Sequence, residues 1–364
     1  MNRNSHDDPG FFVAVDTLRG LAALVVLFWH YQHFYFLVPD DLISAEQSLR
    51  QPGYAYLSFL YENGSYAVHL FWMLSGFIFA HVYLNKDEID TGDFVTRRFA
   101  RIFPLHYATL AAVVILQVIS FTVFGRHQIY DHNDLPHFLM NLFGASHWGW
   151  ERGLSFNGPF WSVSVELWAY AAFILMFPML RRFPLLAPVF TILAYFLWLY
   201  VGIALTQCLA YFATGLAIWT FLVGPYRLRL LTSPVAIAIY VPIFYLAAQT
   251  KLEGGIATII AAIALLSIAV AIDETFKPEW RLGRYLGEIS YTVYMVHTPI
   301  QIAILILVDA FGLSRALFDS PVSLIVFFAC TFALANIVRN KFEKPMRRYL
   351  TQPRKQKRAS FQSA

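Results

Sequence analysis

Residues 160–180 read FWSVSVELWAYAAFILMFPML, an apolar run about as long as a helix needs to cross a lipid bilayer. One carboxylate, Glu166, stands among its aromatic and aliphatic residues. An ionisable side chain at membrane depth is energetically costly unless it is paired or hydrated, and it is therefore a candidate functional residue. The segment therefore predicts a membrane-spanning helix, and Glu166 is the first candidate residue of a functional site.

The composition of the whole chain is typical of a membrane protein. Of the 364 residues, 58% are hydrophobic and 14% are charged, whereas a soluble globular domain has about 25% charged residues. The two cysteines lie in apolar runs, and neither they nor the histidines and carboxylates show the spacing of a metal site. The sequence predicts an all-α, polytopic membrane protein with no metal cofactor.

Ten segments are long and apolar enough to be predicted as transmembrane helices. We expect these spans around a polar cavity, at about 13–37, 66–84, 102–124, 160–180, 184–203, 205–223, 231–249, 255–272, 289–309 and 320–338. One integral membrane domain is predicted over residues 1–350. A basic, disordered cytoplasmic tail is predicted at 351–364.

The basic residues predict the orientation of the chain in the membrane. With both termini in the cytoplasm, 21 of the 27 Lys and Arg residues fall in inner segments, as the positive-inside rule requires. Basic residues in these inner segments account for the net charge of +4. The charge therefore does not indicate that nucleic acid is a partner. The outer segments, about 38–65 and 125–159, mix aromatic and polar residues, which suits a sugar or headgroup site and equally suits an interfacial aromatic belt.

His30 and Glu166 are predicted to lie at a similar depth in the membrane. At 1.5 Å per residue, His30 lies about 18 Å from the inner edge of the first span, or roughly 12 Å from the outer face of a core about 30 Å thick. Glu166 lies about 9 Å below that face, because the fourth span runs from outside to inside. A carboxylate beside a histidine can orient the ring and raise its basicity. Ser162, one turn before Glu166, is either an acyl-carrying nucleophile or a helix-facing hydroxyl.

Two further motifs carry polar groups at the predicted spans. Arg97, Arg98 and Arg101 precede the third span. They can anchor the helix at the inner face, or they can clamp the phosphates of a donor such as a coenzyme A thioester, because guanidinium groups match phosphate oxygens. Tyr294 and His297 are helix neighbours on the ninth span.

Five motifs follow one another along nearly the whole chain. They are Arg19-Gly20 followed by His30, AVHLFWMLSGF at 67–77, RRFARIFP at 97–104, WSVSVE at 161–166 and SYTVYMVH at 290–297. Together they resemble the motifs of the acyltransferase-3 family of polytopic membrane acyltransferases. Two mild departures occur: Phe71-Trp72 replaces a common pair of phenylalanines, and His106 stands where the family often has an aromatic residue.

The resemblance implies an acyltransferase that moves an acyl group, often acetyl, from cytosolic acyl-CoA to a hydroxyl of an extracytoplasmic or lipid-linked glycan. It implies a location in the bacterial cytoplasmic (inner) membrane and a role in modifying cell-envelope polysaccharide. His30 and Glu166 are then the expected catalytic residues. The residues expected to bind acyl-CoA are Arg19, Arg97, Arg98, Arg101, Tyr291, Tyr294 and His297.

A transporter or flippase of a small polar or lipid-linked substrate is the alternative. Buried ionisable residues also line permeation pathways, and many transporters carry inverted repeats. The sequence shows no such repeat, and transport leaves the five motifs unexplained. Within the acyltransferase hypothesis, direct transfer and transfer through an acyl-enzyme are both compatible with these residues.

Overall fold

The computed structural model describes residues 12–249 and 255–352, and every regular element in these ranges is helical. The α-helices are α1 (Val13–His30), α2 (Ala45–Arg50), α3 (Tyr54–Asn63), α4 (Ala67–Tyr83), α5 (Thr91–Phe124), α6 (Leu135–Leu142), α7 (Phe160–Arg182), α8 (Leu186–Val201), α9 (Ala204–Leu222), α10 (Pro234–Gln249), α11 (Gly255–Phe276), α12 (Arg281–Ala310), α13 (Pro321–Val338) and α14 (Lys344–Thr351). The all-α prediction is confirmed. The tail predicted from residue 351 lies, beyond Gln352, outside the described residues.

Each of the ten segments predicted to cross a membrane contains a helix. In the part of the chain that the structure describes, eight helical stretches are long and apolar enough to span a bilayer. The other two, α8 and α10, have 16 residues each, which gives about 24 Å of helix against a hydrocarbon core about 30 Å thick. The polytopic architecture is confirmed, with two helices shorter than a full perpendicular span.

Helix α5 begins at Thr91, earlier than the predicted start near residue 102. The Asp90 side chain caps it by accepting a hydrogen bond from the backbone N–H of Asp93, which satisfies one of the donors that a helix start leaves unpaired. Pro104 consequently lies inside the helix, not in its first turn. The arginine motif at 97–104 is therefore helical throughout.

The described residues form two compact units. The first comprises 12–29, 59–88, 165–249 and 255–290, and the second comprises 30–58, 89–164 and 291–352. Helices α1, α3, α7 and α12 each contribute residues to both units.

Helices α4 and α9 of the first unit pack with their backbones in close approach. A Cβ atom added at Gly76 would lie 1.9 Å from the Phe212 carbonyl oxygen, and one added at Gly215 would lie 2.0 Å from the Met73 carbonyl oxygen. Only glycine leaves room for this approach, which is a common way for apolar helices to gain contact area in a membrane.

The second unit is held together by aromatic packing and by buried polar contacts. The rings of Phe34 and Phe318 stack with their centroids 4.3 Å apart, and the Tyr31 hydroxyl donates to the Phe318 carbonyl oxygen at 2.9 Å. Asp309, at the end of α12, accepts hydrogen bonds at 2.7–2.9 Å from three side chains, those of Arg126, Gln128 and Arg315.

A π-helical turn, Arg339–Glu343, joins α13 to α14 in the second unit. Glu343 within this turn accepts a hydrogen bond from the Thr292 hydroxyl of α12. The chain then continues as α14, which packs against α5. The turn thus connects α13 to α14 and contacts α12.

Candidate active site

His30 is the last residue of α1, where the helix tightens into a 3-10 turn at Tyr31–Tyr35. The side-chain amide of Gln301 on α12 makes two contacts at this junction. Its Nε2 donates to the His30 carbonyl oxygen at 2.7 Å, and its Oε1 lies 3.1 Å from Nδ1 of His33. Gln301 is fully buried, whereas His30 is half-buried. The main chain at His30 is thereby fixed, while part of the His30 side chain stays accessible.

His297 lies beside His30. Their ring centroids are 4.7 Å apart, and those of His30 and His33 are 5.0 Å apart. His33 and His297 are buried, so the half-buried His30 is the accessible ring of this set. We call His30, His33, His297 and Gln301 the histidine cluster. Two residues that the sequence places in separate motifs, His30 and His297, are thus brought together.

The histidine cluster is flanked by a hydroxyl pair. Tyr294, one turn before His297 on α12, has its hydroxyl 2.7 Å from Ser162 Oγ of α7, and it donates to the Pro159 carbonyl oxygen at 2.9 Å. The Asn157 amide donates at 3.0 Å both to the Met295 carbonyl oxygen and to the hydroxyl of Thr109 on α5. These contacts bring the fourth and fifth motifs together and fix them against α5.

Sequence reasoning missed Gln301 and Asn157. Gln301 lies one turn after His297 and so continues the polar stripe of α12, a spacing that could have revealed it. Asn157 lies in the turn before α7, and nothing in its neighbourhood along the sequence marks it as a partner of α12. No group of three or more His, Cys, Asp or Glu side chains within 12–249 and 255–352 has the arrangement of a metal site.

The arginine motif lies on α5 and is more open. Arg97 is paired with Asp93 of its own helix at 2.6 Å, and its side chain is 59% exposed. Arg98 and Arg101 are partly exposed. Arg347 of α14 lies close enough to all three arginines to interact with them electrostatically. We call these four residues the arginine cluster; Arg347 was not predicted as a member.

Tyr291 and Arg19 make structural contacts. The Tyr291 hydroxyl donates to the Ile102 carbonyl oxygen at 2.8 Å and ties α12 to α5. In the first unit, Arg19 bonds the Gly287 carbonyl oxygen through Nε and Nη2 at 3.0 and 2.6 Å, and it pairs with Asp16 at 2.8 Å. Each residue holds two helices together, and the predicted donor-binding role of each stays a prediction.

Glu166 is buried and belongs to the first unit. It lies on α7, one turn after Ser162, as predicted. Its expected role as the group that orients His30 stays a prediction from the sequence.

The residues that the structure describes thus form an all-α, membrane-type protein with a half-buried histidine and a more open arginine cluster. The chain belongs to the acyltransferase-3 family, because the model of this family's acyltransferase domain matches residues 12–339.

Two relatives illustrate the likeness. The chain is similar to "Acyltransferase MdmB" of Streptomyces mycarofaciens, with 34% identity over 171 residues, or 46% of this chain and 39% of the relative. It is also similar to "Protein 2 in picA locus" of Rhizobium radiobacter, with 34% identity over 110 residues, or 29% of this chain and 46% of the relative. The matched part spans less than half of either relative. No solved structure matches the chain.

Proposed function

We propose that the protein is an O-acyltransferase of the bacterial inner membrane. It moves an acyl group, acetyl in the simplest case, from cytosolic acyl-CoA to a hydroxyl of an extracytoplasmic or lipid-linked glycan. The observation that carries the proposal is the histidine cluster, in which buried neighbours fix the main chain at a half-buried His30. The similarity to a protein named an acyltransferase supports the reaction class.

In this reaction His30 acts as the general base. It takes the proton of the acceptor hydroxyl as that oxygen attacks the thioester carbonyl carbon. The new C–O bond forms, the C–S bond breaks, and the proton on His30 passes to the departing thiolate of coenzyme A. In this proposal His297, whose ring is beside that of His30, and Tyr294, whose ring is beside that of His297, support the donor or the developing oxyanion. Glu166 keeps its sequence-based assignment as the group that orients His30.

The arginine cluster binds the phosphates of the donor. Guanidinium groups bond phosphate oxygens in pairs, and four of them near one helix end form a strongly positive surface. The ion pair between Arg97 and Asp93 lies on an exposed part of α5, where such a pair contributes little stability and is easily exchanged for a ligand.

The test is acyl transfer by the purified protein in lipid nanodiscs, with radiolabelled acetyl-CoA and membrane glycolipid extract as acceptor. His30→Ala should lower kcat by about 10²- to 10⁴-fold, the range for loss of a general base. His127→Ala, which removes a histidine from the loop after α5, is the matched control and should keep full activity. Native turnover by His30→Ala would refute the mechanism. Solute movement in proteoliposomes without acyl-CoA would instead identify a transporter.

A further inference from the structure

A groove of about 370 Å³ lies in the second unit, between the last turns of α5 and the start of α6. Its volume is roughly twelve times that of one water molecule in the liquid, about 30 Å³, so it has room for part of a ligand. None of the reaction steps described above uses it. The apolar side chains of its wall come from α5, from α6 and from the segment before α7: Val114, Val118, Phe121, Leu135, Phe138 and Phe156.

The groove opens on a side of α5 that hydrocarbon surrounds in a membrane. Helix α5 is long and apolar enough to span a bilayer. Val118 and Phe121 of α5 and Leu135 of α6 line the groove and are each more than half exposed, whereas Gln117 and Phe156 in its wall are buried. Exposed apolar side chains on a membrane-spanning helix contact lipid chains, which are as apolar as they are. The groove is therefore open to lipid.

Two polar side chains in the wall are already bonded within the protein. Gln117 Nε2 donates to the Gln128 carbonyl oxygen at 2.8 Å, and Gln117 Oε1 accepts the backbone N–H of Gln128 at 2.9 Å. Asn133 Oδ1 accepts the backbone N–H of Phe156 at 2.8 Å. Because these amides are satisfied, they do not require a polar ligand. The inner part of the groove consequently offers apolar surface.

Helix α6 is fixed through its buried side, so the groove exists before a ligand binds. The Asn141 carbonyl oxygen lies 2.8 Å from Nε2 of His106 on α5, and the Asn141 amide donates to Ser155 Oγ at 2.9 Å. The Phe138 ring packs edge-on against that of Phe156, with 6.0 Å between the centroids. A preformed site binds with a smaller loss of conformational freedom than one that must first be ordered.

A carboxylate lies at the polar end of the groove. Asp134 Oδ1 accepts the backbone N–H of His137 at 2.9 Å and lies 2.6 Å from His137 Nδ1. The backbone hydrogen bond lowers the pKa of Asp134, so the carboxylate is ionised. Its side chain is 55% exposed, and no residue within 12–249 and 255–352 donates to its second oxygen, Oδ2. This oxygen matches a cationic donor such as an ammonium group.

We propose that this groove binds a phospholipid with a primary amine in its head group. One hydrocarbon chain lies along α5 from Phe121 toward Val114, a length of about 10 Å at 1.5 Å per residue, and the ammonium group donates to Oδ2 of Asp134. A quaternary ammonium has no N–H to donate, so the site prefers the primary amine. Lipid binding of this kind does not depend on acyl transfer, and each can be measured without the other.

The probe is a phosphatidylethanolamine with a photoreactive diazirine on one acyl chain, present at low density in phosphatidylcholine nanodiscs that hold the full-length protein. Peptide mapping after irradiation compares the label on residues 114–121 and 135–138 with the label on the exposed residues of α13, such as Val322 and Ile325, which report ordinary contact with the bilayer. We expect the groove label to exceed the α13 label by about 3- to 10-fold, the range that corresponds to one hydrogen bond.

Two variants test the two parts of the site. Val118→Trp fills the groove and should lower its label to the level on α13. Ile115→Trp, on an equally exposed position of α5 outside the groove, is the matched control and should leave the label unchanged. Asp134→Asn keeps an oxygen that caps α6 but loses the charge, so the amine probe should label no better than a phosphatidylcholine probe with the same chain. Unchanged thermal unfolding midpoints in the variants exclude misfolding as the cause.

Groove label no higher than the α13 label, or unchanged by Val118→Trp, would overturn the site. Equal groove label from the amine probe and the phosphatidylcholine probe in the wild type would overturn the primary amine as the head group. Mass spectrometry of lipids that remain bound to the purified protein gives a further check. A lipid-linked saccharide retained by the wild type and lost in Val118→Trp would overturn the phospholipid as the occupant.

Discussion

The histidine cluster and the arginine cluster of the second unit are built in opposite ways. The histidine cluster is largely buried, and the fully buried Gln301 amide bonds two of its members. The arginine cluster has partly or largely exposed members, and Arg97 bonds a carboxylate of its own helix. A fixed group acts through orientation and so affects kcat, whereas exposed charges act through binding and so affect KM.

Apart from His30→Ala, Gln301→Leu is expected to have the largest effect on activity. The substitution removes both bonds of the amide, to a part-buried carbonyl oxygen and to a buried ring nitrogen, at about 1–3 kcal/mol each. We expect kcat to fall by about 10- to 100-fold with KM for acyl-CoA unchanged. Steady-state kinetics and the thermal unfolding midpoint in nanodiscs measure both effects.

Gln301→Glu is the conservative control for this prediction. It keeps an acceptor for His33 and loses only the donor to the His30 carbonyl oxygen, so kcat should lie between the wild type and Gln301→Leu. A lowered unfolding midpoint with kcat unchanged in both variants would show that Gln301 has a structural role only.

A smaller effect is expected at the arginine cluster, and it should appear in KM. Arg101→Ala should raise KM for acyl-CoA by about 10-fold, the lower end for a hydrogen bond between charged groups, and leave kcat within about 2-fold. Arg347→Ala should raise KM by about 3-fold, because this residue supplements the motif from a second helix. Both effects should shrink as salt is added, since exposed charges are screened.

Arg50→Ala is the matched control for the arginine variants. Arg50 is paired with Asp319 at 2.7 Å and lies on α2, not on α5 or α14. Its loss should leave KM for acyl-CoA unchanged. If Arg101→Ala behaves like Arg50→Ala, the arginine motif only anchors α5 at the membrane face.

The smallest effect is expected for Ser162→Ala. The Ser162 hydroxyl is buried and lies within hydrogen-bond distance of the Tyr294 hydroxyl and the Pro159 carbonyl oxygen, an arrangement typical of a packing contact. We expect kcat within about 3-fold of the wild type, the effect of one neutral hydrogen bond. Loss of all activity, together with an acylated serine trapped in the wild type and detected by mass spectrometry, would instead identify an acyl-enzyme.

The fold follows from the sequence because bilayer depth fixes the length of an apolar helix. All ten predicted segments contain a helix, and glycine at position 76 leaves room for the close approach of α4 and α9. The predicted start of α5 is too late because it rests on the first apolar residues of the segment. Its true start depends on the capping side chain of Asp90, which lies in a polar stretch.

The candidate site follows from the sequence only in part. The spacing of Tyr294 and His297 on α12 is local and can be read from the helical period. The approach of His297 to His30 and that of Arg347 to the arginine motif join positions far apart in the chain, and these depend on packing that no local pattern encodes. The depth shared by His30 and Glu166 is likewise an estimate along the membrane normal, which says nothing about lateral position.

The π-helical turn Arg339–Glu343 determines how α14 is rotated about its helix axis relative to α13. A π-turn holds one residue more than the α-helical turn it replaces, and one residue corresponds to about 100° of rotation about the axis. The face that α14 turns toward α5, including Arg347, is therefore chosen by a single inserted position. Without it, the same residues would follow in the same order, but a different side of α14 would meet α5.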